Sequence, residues 1–225
     1  MNPTPGQITQ GRAEDVMRGW PDGCVDFVLF DPPYNAGKDY GAAKDAWPSD
    51  GAYLMDATAW VMQAMRVAGG RVGLYAPKKY LREYWSLLPE NRLTIMGWAP
   101  EGVQRDGVVH QYNAMLLPRR PVPGAYWKDH HWNVQASSLG FFCREEKTSH
   151  PGQSSLDMTE RVILAFTRPG ELVLDPFMGS GTTALACEKH GRRWVGVEEN
   201  APFIDMALER IERARRQPQL PLEAS

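Results

Sequence analysis

Leu172-Val173-Leu174-Asp175-Pro176-Phe177-Met178-Gly179-Ser180-Gly181-Thr182-Thr183 is the stretch whose reading decides how this chain folds. A short apolar run ends in an acid, passes through a turn with two glycines and enters a helical pattern. Apolar runs of this length, bounded by turn residues, read as buried strands. The stretch predicts a strand over 171–174 and a helix over 181–190, closed by Gly191. A strand over 193–197 follows and stops at Glu198. Glycines between a strand and a helix let the backbone turn sharply and come close to a ligand.

The same logic extends outward. Residues 25–30 read as a buried strand that stops at Asp31-Pro32-Pro33-Tyr34. A polar loop over 36–50 carries Gly37, Gly41 and Pro48. Leu54, Ala57, Val61, Ala64, Met65 and Ala68 recur at helical spacing and predict a helix over 51–68, capped by Ser49 or Asp50 and ended by Gly69-Gly70. A strand at 71–76 and a helix near 78–87 follow. Strands over 92–98 and 109–117 are expected next, joined by a turn with Gly102 and Gly107. Helices over 156–167 and 202–216 complete the pattern, the last with Ile204, Leu208 and Ile211 on one face.

Strands alternating with helices predict an α/β fold with a doubly wound, mostly parallel sheet. Ligands of such sheets sit beyond the carboxyl ends of the strands, near the switch point. Asp31 and Asp175 both fall at predicted strand ends and so share one rim. A single domain is expected over 1–217, with a flexible tail over 218–225. The segment 118–149 differs in kind, with Trp127, Trp132, Phe141 and Phe142 interleaved among charges, prolines and Gly124 and Gly140. Long irregular segments inside a domain are often functional.

Bulk numbers exclude several classes. The 225 residues carry a net charge of −2, so the chain is no polycation. Nucleic-acid binding would need local clusters such as Lys78-Lys79 with Arg82, or Arg119-Arg120. Cys24, Cys143 and Cys187 are scattered and odd in number, which speaks against a disulfide framework or a cysteine zinc site and for a reducing cytoplasm. The opening Met1-Asn2-Pro3-Thr4-Pro5 is unlike a secretory signal, and no apolar run is long enough to span a bilayer. His130-His131 lacks a companion acid or cysteine cluster, so no metal is expected.

The late motif suits a nucleotide-like cofactor. Glu198, at the end of the next strand, can accept hydrogen bonds from both hydroxyls of a ribose. A phosphate-binding loop would need a lysine after Gly181, and a dinucleotide site would need a third glycine. An acid at 175 repels a pyrophosphate but suits an ammonium or sulfonium charge, and S-adenosylmethionine carries both. The plain alternative is a strand-to-helix turn with a surface acid. The early motif suits an amine on a flat ring. The Asp31 carboxylate and the Pro32 carbonyl can both accept from an NH₂ group, and Tyr34 offers a face for stacking. Pro32 and Pro33 stiffen the loop. Its plain alternative is a proline turn with an aspartate cap.

Asp31-Pro32-Pro33-Tyr34-Asn35, His150-Pro151-x-Gln153, the 175–183 loop and Val195-Gly196-Val197-Glu198 together resemble the amino-methyltransferases of DNA. With the target motif first and the cofactor motif late, the chain looks like their permuted β class, over roughly residues 7–211. The resemblance implies a Rossmann-like S-adenosylmethionine-dependent methyltransferase sheet with a small target-recognition insertion at 118–149. It implies that Asp31, Pro32, Pro33 and Tyr34 hold the target. Asp31, Asn35, His150, Ser154, Asp175, Pro176, Phe177, Gly179, Ser180, Gly181, Thr182 and Glu198 would contact the cofactor. An aspartate at 31 leans toward adenine N6 over cytosine N4. The family usually has Lys-Pro where Ser154-Ser155 stand here.

The expected chemistry is direct transfer to nitrogen, since no cysteine lies in a nucleophile motif. A base inside a duplex must first flip out. DNA contacts are expected from Tyr34, Lys38, Arg119, Arg120, Lys128, Arg144 and Lys147. The recognition segment is short, so a short target, low specificity or a homodimer is expected. The run Arg213, Arg215 and Arg216 reads as a solvated helix end. Rival readings are an RNA methyltransferase, a glutamine-amide methyltransferase and a non-catalytic binding subunit of the same fold.

Overall fold

Apolar residues on both faces of one strand force helices onto both sides of a sheet, and β2 shows this best. In the computed structural model, which describes residues 1–40, 45–97, 112–123 and 154–216, β2 (Phe27–Phe30) is buried throughout. Val28 and Phe30 enter a core with α1 (Ala13–Arg18), α2 (Asp50–Val67) and α3 (Leu81–Leu87), and Phe27 and Leu29 enter a second core beneath the sheet. The second core contains α4 (Leu156–Phe166), α5 (Thr182–Lys189) and α6 (Ala201–Arg216).

The other strands are β1 (Ile8–Gln10), β3 (Val72–Ala76), β4 (Asn91–Gly97), β5 (Tyr112–Pro118), β6 (Leu172–Asp175) and β7 (Arg193–Glu198). Their order is β1-β7-β6-β2-β3-β5-β4. Pairings from β1 through β3 are parallel, and β5 is antiparallel to β3 and β4. The expected doubly wound, mostly parallel sheet is thus present. Its strand order reverses between β6 and β2, which lie side by side with Phe27 opposite Val173 and Val28 opposite Leu174. Asp26 clamps the pair from below, its amide donating to Leu172 O (2.8 Å) and its carboxylate accepting from Leu172 N (2.7 Å).

Ser49 caps α2, its hydroxyl accepting from Ala52 N at 3.1 Å, and Gly69 and Gly70 turn the chain away in the left-handed region. Four expectations need correction. β1 and α1 escaped the sequence reading, because a three-residue strand has no periodicity and is held by register with β7. The strand expected over 25–30 begins only at Phe27. The one expected to end at 117 runs on to Pro118, and its expected start at 109 and its turn at Gly102 and Gly107 lie outside the described residues. On α6 the inward face centres on Ala207, Arg210 and Ile211, while Leu208 is 41% exposed. Of 118–149 only 118–123 is described, and there Val122 N bonds Ala165 O; the tail 218–225 also lies outside the described residues.

Candidate active site

The loop after β6 is closed by its own acid. Asp175 accepts from Phe177 N (3.0 Å) through one oxygen and from the Thr183 hydroxyl (2.6 Å) through the other. Glu198, at the end of β7, accepts from Gly179 N (2.8 Å) and Asn200 N (2.9 Å). Gly181 is left-handed (φ 79°) and caps α5, and a β-carbon there would stand 3.1 Å from Ala207 Cβ of α6. Behind the loop, the buried Arg210 guanidinium donates to Ser180 O and to the Thr182 hydroxyl, both at 3.0 Å.

The loop after β2 is held by its own later residues and by the helices beside it. Tyr53 of α2 donates its hydroxyl to Pro33 O at 3.0 Å. Asn35 is left-handed (φ 53°) and works as a hub: its oxygen accepts from Trp47 N (3.0 Å) and its amide donates to the Tyr80 hydroxyl (2.8 Å). Asp45 accepts from the Asn35 and Ala36 amides. Asp31 accepts from the Ser154 hydroxyl at 3.0 Å, across from the start of α4. Phe177 packs against Phe30 (5.8 Å between centroids) and Trp60 (5.1 Å), joining the two loops through an aromatic contact.

Both loops open into one cavity of about 230 Å³. Asp31, Pro32, Pro33, Tyr34 and Lys38 line it on one side. Asp175, Pro176, Phe177, Gly179, Ser180, Thr182 and Glu198 line the other, with Ser154 between. Burial pushes Asp31 up to about 6, against hydrogen bonds from Tyr34 and Ser154 and the charge of Lys38. Burial pushes Asp175 up to about 7, opposed by Thr183 and the Phe177 amide and helped by the charges of Asp31 and Glu198. Glu198 is raised as well, chiefly by burial.

A buried acid and a half-buried one on adjacent strand ends meet in one cavity beside a glycine-braced loop, and sequence comparison gives the kinship. Residues 77–209, more than half of the chain, match the profile of the N6/N4 DNA methylase family. The chain belongs to the DNA methylase family. It is 27% identical over 224 residues to the type II methyltransferase M.HpaI of Haemophilus parainfluenzae, covering 88% of this chain and 71% of that protein. It is 27% identical over 247 residues to the DNA adenine methyltransferase YhdJ of Escherichia coli K12, covering 91% of this chain and 82% of that one. The solved complex of M1.HpyAVI with S-adenosylmethionine shares the fold, at TM-score 0.66 and 21% identity over 91% of this chain and 98% of that one. The sheet is therefore that of the S-adenosylmethionine-dependent methyltransferases.

Within this methylase, not every expected site residue reaches the cavity. Asn35 is spent on scaffolding and Gly181 faces α6, so neither lines it. Ser154 reaches it, but its hydroxyl is given to Asp31. Arg119 and Arg120 are exposed, past the end of antiparallel β5, at the opposite end of the sheet from the cavity. His150, Lys128, Arg144, Lys147 and the His130-His131 pair lie outside the described residues. Arg213, Arg215 and Arg216 are exposed, with Arg215 paired to Glu188 (2.6 Å) and Glu212 (2.9 Å).

Other lining residues escaped the sequence reading. Glu14 of α1 is buried beside the cavity, paired with Arg12 (2.6 Å) and accepting from the Trp60 indole (3.0 Å). Trp47 donates its indole to Asp56 at 2.8 Å, and Asn200 and Phe203 line the cavity near Glu198. Among the described residues no cluster of His, Cys, Asp and Glu could hold a metal, and no helix is long and apolar enough to cross a membrane.

Proposed function

We propose that this methylase transfers a methyl group from S-adenosylmethionine to the exocyclic N6 amine of adenine in DNA. The observation that carries the reading is the meeting of Asp31 and the 175–183 loop in one cavity, from neighbouring strands. The donor set fits the cofactor. Glu198 keeps acceptor capacity for ribose hydroxyls beyond its bonds from backbone amides. Pro176 and Phe177 give an apolar wall, and three acids suit a positively charged ligand. When bound, the cofactor's sulfonium offers an electrophilic methyl group.

The chain's own contribution is positioning. Asp31 and the Pro32 carbonyl accept from the amine and draw its lone pair away from the ring. Tyr34 stacks on the flipped base, which offsets part of the few kcal/mol that unstacking costs, about the usual magnitude. The Asp31 carboxylate then stands ready for the proton that the nitrogen sheds. Asp31 itself and the likeness to YhdJ favour adenine over cytosine N4. Target reading falls to the 36–50 loop and the 118–149 segment, shared between two copies of the chain in a dimer, in the cytoplasm.

The test is transfer of labelled methyl to unmethylated duplex DNA, single-stranded DNA and RNA, followed by nucleoside digestion and mass detection. N6-methyladenine in DNA is expected. N4-methylcytosine would overturn the choice of base, and label in RNA alone would overturn the choice of substrate.

A further inference from the structure

Ser154 lines the cavity and bonds to both of its halves. Its hydroxyl donates to Asp31 Oδ2 at 3.0 Å. Its carbonyl accepts from the Thr182 hydroxyl at 3.4 Å. Thr182 accepts in turn from the buried Arg210 at 3.0 Å. The next residue, Ser155, caps α4, its hydroxyl accepting from Met158 N, so the backbone at 154 is fixed by a helix start. A line of hydrogen bonds thus runs from α6, through the cofactor loop, to the carboxylate that faces the target.

We infer that Ser154 is a positioning residue that aligns Asp31 with the target amine and ties that alignment to the cofactor loop. The inference rests on Asp31 receiving the amine, and it assigns the Ser154 hydroxyl to Asp31 rather than to the cofactor. A carboxylate held by Tyr34 from its own loop and by Ser154 on Oδ2 from across the cavity keeps a defined orientation for its remaining lone pairs. Charge-assisted bonds of this kind are the strong ones. Because the carbonyl of the same residue bonds Thr182, a shift of the cofactor loop moves the group that orients Asp31.

The groups facing Asp31 are Tyr34, Lys38 and Tyr40 of its own loop, Tyr53 of α2, Tyr84 of α3 and Asp175 of β6. Ser154 is the one that both lowers the Asp31 pKa by a hydrogen bond and touches the cofactor loop. The test compares Ser154→Ala and Ser154→Thr in the full chain, by kcat, KM for S-adenosylmethionine and the pH profile of kcat. Ser154→Ala is expected to lower kcat about tenfold, the usual scale for a hydrogen bond to a charged group. It should change the cofactor KM less than about twofold and move the acid limb of the profile to higher pH. Ser154→Thr should restore both.

A raised cofactor KM with an unmoved limb would overturn the inference and give the hydroxyl to the cofactor. A wild-type kcat and profile in Ser154→Ala would overturn it outright. Should Ser154→Ala fail to fold, Ser154→Cys against Ser154→Thr reads the same limb, a weak donor against a strong one. Asp31→Ala run in parallel separates the two levels. If it stays active, the reading of Asp31 itself falls. If it is inactive while Ser154→Ala behaves as wild type, only the positioning role falls.

Discussion

Asp31 and Asp175 end neighbouring parallel strands, both are raised by burial, and both line the cavity, yet their partners differ in origin. The partners of Asp175 are Phe177 and Thr183, residues of its own loop. Such an acid is a brace: it fixes the path of the backbone and would do so with any ligand. Asp31 takes one hydrogen bond from Tyr34 of its own loop and a second from Ser154, more than a hundred positions away in sequence. Such an acid is aimed by the fold as a whole and presents its remaining lone pairs to the cavity. A raised pKa alone does not separate a working carboxylate from a structural one; the added bond from a distant element does.

The comparison can be broken most sharply at Asp31. Asp31→Ala should cut methyl transfer by roughly 10²–10³, the scale of losing one preorganised polar group at a reacting centre. Cofactor binding measured by calorimetry should change less than about threefold. A parallel collapse of cofactor binding would erase the distinction drawn here. Asp175→Ala should do the opposite. It leaves the Thr183 hydroxyl and the Phe177 amide unpaired, costing roughly 1–3 kcal/mol for each buried group. The melting temperature and the cofactor affinity should both drop, the affinity by about tenfold if one such penalty is felt in binding.

The pH response sharpens the pair further. Each acid binds a proton more readily in the folded chain than in the unfolded one. Their share of stability is therefore full below the ordinary carboxylate range and is lost as pH rises through about 6 for Asp31 and about 7 for Asp175. Activity runs the other way, because protonated Asp31 is a poorer acceptor for the amine. The rate should fall as pH drops through about 6 while the melting temperature holds or rises. The ion-paired Glu188, held low by Arg215, weakens the fold only at more acid pH. Activity and melting that decline together near pH 6 would mean that Asp31 is structural. The smallest effect belongs to Thr183→Val, which removes one donor from Asp175. About 1 kcal/mol of stability should be lost in chemical denaturation, with the acid limb of activity unmoved.

Much of this was legible in the sequence because it is local. A strand that ends in an acid, a serine cap and paired glycines each announce themselves within a few residues, as at Asp31, Ser49 and Gly69-Gly70. What was missed depends on distant packing. Arg210 stands just before the run Arg213, Arg215 and Arg216 with nothing local to set it apart, and the docking of α6 on the cofactor loop buries it. Asn35 follows the target motif directly, yet its left-handed backbone turns it toward Tyr80 and Trp47. Arg119 and Arg120 read as a basic cluster, and antiparallel β5 delivers them to the end of the sheet opposite the cavity. β1 gains its place only by lying beside β7.

The seam between β2 and β6 joins Asp26 to Leu172, 146 positions apart. On a ribosome adding about 5–20 residues per second, β2 waits roughly seven to thirty seconds for that neighbour. During the interval a fully apolar strand has an unpaired edge, open to wrong partners. The cavity cannot exist until the last third of the chain has emerged, so a truncated product would carry the target motif without any catalytic capacity. Production of this methylase in quantity should therefore respond to slower synthesis or added chaperone more than to any change in the cavity itself.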